Sequence, residues 1–439
     1  MKPGLIEESA RTTPVWHECD VCVVGGSCTG LFAAVRAARC GARVAIIEQQ
    51  NCFGGVATNS MVNVWHTLLD AEYGQPIIAG LTLEVIERLQ RREAITKRER
   101  NPSIGYIFNS EELKLELDQF AGEAGLKIFF HTQFVAPYQR DGKLEAVIVE
   151  NKSGRGAIKA GMFIDATGDG DLAARLGLPV YRAPHPQPST TCARFSGWET
   201  LGGLDVSQVL TEGFVWKCQV PGSPVQMLAG TRVAGKNPDN ADDLTAAEIA
   251  GRQQVRKIMD ALRTAAPSSR LVLQALPSRI GLRESIHVRC GYQLTGADLL
   301  SGQQFPDAIA NGSYRVDIHH PDRPGITLRY LDGHEEYWRP GCPSQISRWR
   351  PETSTNPKYY QIPFRSLVPG GFANLIVAGR MLDADPLAFG AVRVMVTMNQ
   401  TGEAAGVAAW LALQTSTAIA AVDPARLRRE LAAGGSIML

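Results

Sequence analysis

The chain has 439 residues, 44% hydrophobic and 20% charged, enough apolar material for a large core in roughly two or three structural units. Lys+Arg 45 against Asp+Glu 44 leave a formal net charge of +1, which excludes an overall basic field of the kind that holds nucleic acid. The nine cysteines are too sparse for a disulfide scaffold, and their odd number forbids complete pairing. No apolar run nears the roughly 20 residues of a membrane span. Residues 1–20 carry Glu7, Glu8, Arg11, His17 and Glu18 where a signal peptide needs an apolar stretch. The expectation is a cytoplasmic protein with reduced thiols and neither a membrane nor a nucleic-acid partner.

In chain order, the β-branched run at 20–24 predicts a strand, Gly25-Gly26-Ser27-Cys28-Thr29-Gly30 a tight turn, and Leu31, Ala34, Val35 and Ala38 a helix ending near Gly41. A second strand follows at 43–47. Glu48 closes it, at the roughly 20-residue remove from the glycines where a dinucleotide fold places its ribose-binding acid. A turn without bulky side chains lets a helix N-terminus meet a pyrophosphate, and the carboxylate accepts hydrogen bonds from ribose hydroxyls. Ser27 stands where the G-x-G-x-x-G pattern has its second glycine. Either its hydroxyl donates to the pyrophosphate or the loop stands slightly farther off.

Next come Gly54-Gly55-Val56-Ala57-Thr58, a helix at 109–125 that Asn109 can cap, and a meander of short strands between 127 and 160. A strand at 160–164 runs into Asp165-Ala166-Thr167-Gly168-Asp169-Gly170-Asp171. A helix is predicted at 245–262. Alternation over 279–289 would put Arg283, Ser285, His287 and Arg289 on one face of a strand, surface or not. Near the end, a buried strand at 374–378 leads to Gly379-Arg380, and Gly390 leads into a helix rich in small residues.

These four motifs, the N-terminal fingerprint, GGVAT, DATGDGDLA, and VAGR followed by RVMVTMNQTGEAAGVAA, together resemble the FAD-dependent oxidoreductase family of glutathione-reductase-type flavoproteins. The resemblance implies an α/β fold, with a discontinuous Rossmann-like FAD-binding domain (parallel sheet with β-meander) plus an inserted substrate domain. Residues 19–60, 109–182 and 362–415 would form the first, 61–108 and 183–361 the second, with tails at 1–18 and 416–439. It also implies that Gly25, Gly26, Ser27, Cys28, Thr29 and Gly30 face the FAD pyrophosphate, and Glu48 with Gln49 the adenosine ribose. Gly54, Gly55, Val56, Ala57 and Thr58 would line the cofactor, Val135 would lie near the adenine, and Ala166, Thr167, Gly168 and Asp169 would close the site. Gly379 and Arg380 would follow the last strand, and the helix led by Gly390, Ala391 and Val392 would aim its free N–H groups at the flavin. Arg380 departs from the family, which often places an acid there; Asp383 or Asp385 is the substitute.

A FAD enzyme of this kind passes two electrons, as a hydride, between a small organic substrate and flavin. His66, just past GGVAT, is a candidate near-neutral base, with His287 as the second choice; each can equally be a packed histidine. Arg283 and Arg393 are candidate cations for a polar substrate. The electron acceptor, the reaction direction and homo-oligomer formation stay open. The competing readings are an NAD-dependent dehydrogenase and a non-catalytic flavin-binding or RNA-modification-associated protein. Cys19 and Cys22, three apart on a strand, are not read as a redox pair, nor Asp165, Asp169 and Asp171 as a metal site. His319 and His320 are expected to be exposed, and Tyr359-Tyr360 to line the pocket or pack.

Overall fold

The structure, a computed structural model, describes residues 4–100, 103–140, 142–209, 216–339 and 341–439. The apolar runs build one parallel sheet in the order Lys127–Phe129, Val44–Ile47, Val15–Val24, Gly154–Asp165 and Leu375–Val377. Val24 stands level with both Ile47 and Asp165. Three strands therefore end at one edge, where open α/β sheets bind their ligands. The first strand begins at Val15, earlier than the predicted Asp20, because its leading residues pair with the long Gly154–Asp165 strand.

That long strand merges two predicted ones. Its first half pairs antiparallel with Lys143–Asn151, which pairs in turn with Gln133–Arg140 to make the meander. Its last three residues, Phe163, Ile164 and Asp165, pair parallel with Leu375–Val377. The C-terminal segment thus completes a sheet begun at the N-terminus.

Two helices stack on this sheet. Cys28–Arg39 is buried along nearly its whole length, and Met395–Thr415 crosses it. A Cβ on Gly402 or Gly406 would overlap the carbonyl oxygen of Thr29 or Ala33, so the two backbones touch directly. The Gly402/Gly406 spacing puts both glycines on one face, and it requires both to lack a side chain.

The remaining strands form smaller antiparallel sheets, two of them four-stranded. One runs Trp216–Gln219, Gln226–Ala229, Cys192–Ser196, Val272–Ala275. The helix Ala241–Ala265 packs on it through Val255, Ile258 and Leu262. That helix is longer than predicted because Asn240 caps it by accepting from the amides of Asp242 and Asp243. The other four-stranded sheet runs Val316–His319, Ile326–Arg329, His334–Trp338, Gln345–Arg348.

Three expectations about the connecting segments change. Residues 279–289 are no strand beyond His287–Val288, because the side chains of Arg283 and Glu284 bond the 187–190 segment instead of continuing a ladder. Within 61–108, the helix Leu81–Arg91 packs into the same core as the parallel sheet. The stretch 416–439 is not a loose tail: Pro424–Ala433 is a helix with Leu427 and Leu431 buried, and Arg428 donates to the carbonyl of Ala308. Among the described residues no helix is long and apolar enough to cross a membrane.

Candidate active site

A cavity of about 400 Å³ opens beyond the carboxyl edge of the parallel sheet. The Gly25 turn forms part of its wall, and local sterics explain the sequence there. Gly25 has φ +107°, and a Cβ on it would overlap the Ala166 carbonyl. A Cβ on Gly30 would overlap the Gly25 carbonyl, so the helix start sits directly on the turn. Ser27 resolves the departure from the glycine pattern: it is the N-cap of Cys28–Arg39, its Oγ accepting from the Gly30 amide at 3.3 Å. This tight turn, lining the cavity at a helix N-terminus, fits a pyrophosphate. Cys28 sits at the same helix start, yet burial pushes its thiol up to about 12, so it stays protonated.

Glu48 is buried beside the turn. Its Oε2 accepts from the Gly26 amide and its Oε1 from the Gln50 amide, each at 2.7 Å. Burial pushes the carboxyl up, against the pull of those amides and of Arg279. The carboxylate therefore holds the turn as well as facing the cavity. Glu48→Ala is expected to weaken FAD binding by about 1.5 to 3 kcal/mol, roughly 10- to 150-fold in Kd. Titrating FAD into apoprotein measures this, and an unchanged Kd would exclude Glu48 from the site.

The Asp165 loop closes another side. Asp165 accepts from the Thr167 amide and hydroxyl at 3.1 and 2.7 Å and from the Ala173 amide at 2.9 Å. Asp169 pairs with Arg380 and with Arg279, the latter at 3.1 Å. Asp169 is held below the usual carboxylate range because both guanidiniums outweigh its burial. Among the described residues no group of three or more His, Cys, Asp or Glu side chains is placed to hold a metal ion.

The wall around Asp317 carries His66, Arg283, Tyr314, Arg315, His319 and Arg393. Asp317 accepts from the Tyr314 hydroxyl at 2.9 Å and from Arg393 at 3.3 Å, and lies 3.4 Å from His319 Nε2. His66 packs against Tyr314 with ring centroids 4.2 Å apart, and its Nδ1 is buried without a hydrogen-bond partner. Burial, reinforced by Arg315, pushes His66 down to about 3, and burial with Arg283 nearby pushes His319 down to about 4. Val394, Met395, Met398 and Asn399 bring the start of the Met395–Thr415 helix into the lining, and its N-cap Val394 offers no side-chain cap. Its first amides are free to meet an electronegative group.

Of the residues singled out from sequence, the cavity gathers Gly25, Gly26, Ser27, Cys28, Thr29, Glu48, Gln49, Gly54, Gly55 and Val56. It also gathers His66, Ala166, Thr167, Gly168, Arg283, Gly379, Arg380 and Arg393. Others stand behind it. Gly30 and Asp169 act on lining residues, and Thr58 shapes its loop by donating to the Phe53 carbonyl at 2.6 Å. The Ala57 carbonyl is taken by Ser110. Val135 gives its carbonyl to Arg175 while its neighbour Phe134 faces the cavity.

Several expectations are corrected. His287 is buried away from the cavity, Nδ1 3.0 Å from the Leu382 carbonyl and Nε2 3.1 Å from Glu284, so both ring nitrogens are spent on structure. Gly390, Ala391 and Val392 belong to a short separate helix, Pro386–Val392, packed on the Val316–His319 strand, and the helix end at the cavity begins at Met395. Neither acid proposed to replace Arg380 reaches the cavity: Asp383 binds the Tyr181 hydroxyl and Cys290 amide, and Asp385 caps Pro386–Val392. His66 is not a near-neutral base, because burial among guanidiniums keeps it unprotonated. His319, expected at the surface, lines the cavity, and Tyr360 is packed with its hydroxyl on the Ala391 carbonyl. Tyr314, Arg315, Asp317 and Arg279 were not singled out from sequence.

A parallel sheet with a glycine turn, an acid at the end of its second strand and an open helix end at one cavity defines an α/β dinucleotide-binding protein. The chain matches the model of the FAD dependent oxidoreductase family over residues 20–431 and belongs to that family. FAD is the family's cofactor, which sets aside the NAD-dependent dehydrogenase. The curated relatives match in part: dihydrolipoyl dehydrogenase of Trypanosoma brucei brucei is 29% identical over 161 residues, 32% of this chain and 30% of that protein. Digeranylgeranylglycerophospholipid reductase of Methanospirillum hungatei JF-1 is 26% identical over 214 residues, 48% of this chain and 52% of that protein. A solved geranylgeranyl bacteriochlorophyll reductase-like protein from Thermoplasma acidophilum shares the fold, with TM-score 0.50 at 12% identity over 94% of this chain and 82% of that one.

Proposed function

We propose that the protein moves a hydride between a carbon of a small organic substrate and FAD, with the substrate between the segment after GGVAT and the Arg283 segment. The observation that carries this reading is that His66, Arg283 and Arg393, far apart in sequence, share one cavity with the Gly25 turn and the open end of Met395–Thr415. FAD, when bound, supplies the two-electron acceptor or donor. Glu48 and the Gly25–Ser27 turn would hold its adenosine and pyrophosphate portions. The free amides at Met395 present positive charge where negative charge develops. Neutral His66, with Nδ1 unpartnered, would accept a hydrogen bond from the substrate hydroxyl or amine, orient the carbon that gives up its hydride, and take the proton which that hydroxyl or amine loses as the hydride leaves.

The nine cysteines are all free thiols, which supports a reducing compartment such as the cytoplasm.

The test is anaerobic stopped-flow reduction, with a substrate found by screening small alcohols, amines and hydroxy acids. His66→Ala is expected to slow flavin reduction by about 10²-fold with the bound-flavin spectrum intact. The parent's rate should show no ionisation limb near the ordinary histidine value of 6.5, since burial keeps His66 neutral well below it. A variant reducing its flavin at the parent rate would remove His66 from the mechanism.

A further inference from the structure

We infer that the substrate carries a carboxylate, and that Arg283, Arg315 and Arg393, grouped about Asp317 on the cavity wall, are the groups that bind it. The inference rests on the placement of substrate proposed above and adds its chemical class.

The wall holds three guanidiniums and one carboxylate. Asp317 Oδ2 accepts from Arg393 and Tyr314, while its Oδ1, 3.4 Å from His319 Nε2, is buried without a hydrogen-bond partner, so one carboxylate faces three guanidiniums. Arg283 donates to the Pro188 carbonyl and to Thr190 Oγ1, both neutral. Arg315 donates to Ser103 Oγ at 2.6 Å and lies 5.1 and 5.6 Å from the ring centroids of Tyr314 and Tyr330, again neutral partners. Nε of Arg315 and Nε of Arg393 are buried without a hydrogen-bond partner. The two histidines add no charge, being held neutral at ordinary pH.

A low-dielectric wall with this excess of positive charge is costly unless an anion joins it. Burial and the repulsion of Arg393 already pull Arg283 down to about 10. The FAD pyrophosphate is not the missing anion on this geometry, because the Gly168 loop beside the Gly25 turn has its own cations in Arg279 and Arg380. Forked guanidiniums match a planar carboxylate. Val62, Ile104, Met227 and Leu282 on the same cavity give an apolar surface for the body of a small organic acid.

The experiment titrates the FAD-loaded protein at pH 7 and low chloride with benzoate, its neutral counterpart benzamide, and phenylphosphonate, reading the visible flavin absorbance. Benzoate is expected to perturb the spectrum saturably and to bind at least about ten-fold more tightly than benzamide. Arg283→Gln and Arg393→Gln should each weaken benzoate about ten-fold or more and leave benzamide unchanged. Equal binding of benzoate and benzamide, no saturable benzoate effect, or arginine variants with parental benzoate affinity would each overturn the inference. Tighter binding of phenylphosphonate than benzoate would overturn the carboxylate in favour of a tetrahedral oxyanion. Should a variant lose its flavin, the parent's comparison of benzoate with benzamide decides. The titration uses oxidised flavin and no turnover, so it is separable from the hydride reading. A protein that binds benzoate but is reduced by no screened substrate counts against hydride transfer alone, and one reduced by a neutral substrate without binding benzoate counts against the carboxylate alone.

Discussion

A chain ending at residue 373 is expected to lose FAD binding entirely, not merely activity. The missing part supplies Leu375–Val377, the parallel partner of the Gly154–Asp165 strand, and with it Gly379 and Arg380 at the cavity. It also supplies Met395–Thr415, whose buried face covers the Cys28–Arg39 helix that begins at the Gly25 turn. Without these, the sheet edge and the apolar face of the fingerprint helix are both exposed. Purification of the truncated chain with a flavin spectrum tests this. A soluble yellow product would show that the N-terminal strands bind FAD alone.

Gly402→Val is expected to destabilise the protein by about 3 kcal/mol or more, because its side chain would have to occupy the position of the Thr29 carbonyl. Backbone cannot turn aside as a side chain can, so the two helices must separate and the Gly25 turn moves with them. Urea unfolding followed by flavin fluorescence gives the value. Gly122→Ala is the matched control: a Cβ there meets nothing within 4 Å, so a gain of about 0.5 to 1 kcal/mol is expected. Equal midpoints for Gly402→Val and the parent would refute the direct backbone contact.

These predictions show which parts of the molecule are legible in sequence. The Gly25 turn is, because its tight backbone geometry admits few residue types and so writes itself locally. Glu48 is, because a short helix and a short strand set its distance from the turn. Leu375–Val377 is recognisable as a buried strand, although its neighbour cannot be read from its own residues. The cluster around Asp317 is not legible: Tyr314, Arg315, Asp317 and Arg393 meet only through the packing of Pro386–Val392 on Val316–His319. His287 misleads for a related reason, since alternation pairs it with Arg283 only if 279–289 is a strand. The bonds of Arg283 to residues 188 and 190, and of Glu284 to the Gln187 amide, bend that segment off any ladder. The start of the last long helix is misplaced because Asp385 caps a short helix first, and the chain turns at Arg393 and Val394 before Met395–Thr415 begins.

The central claim is that FAD spans the cavity from Glu48 to the start of Met395–Thr415 and presents its ring to the His66 and Arg283 wall. A crystal structure of the FAD-loaded protein tests it most directly. The account predicts the adenosine ribose on Glu48, the pyrophosphate on the Gly25–Ser27 turn, and the isoalloxazine ring at the amides of Met395 with His66 and Arg283 across from it. A ring lying outside this cavity, or turned away from the His66 and Arg283 wall, would contradict it.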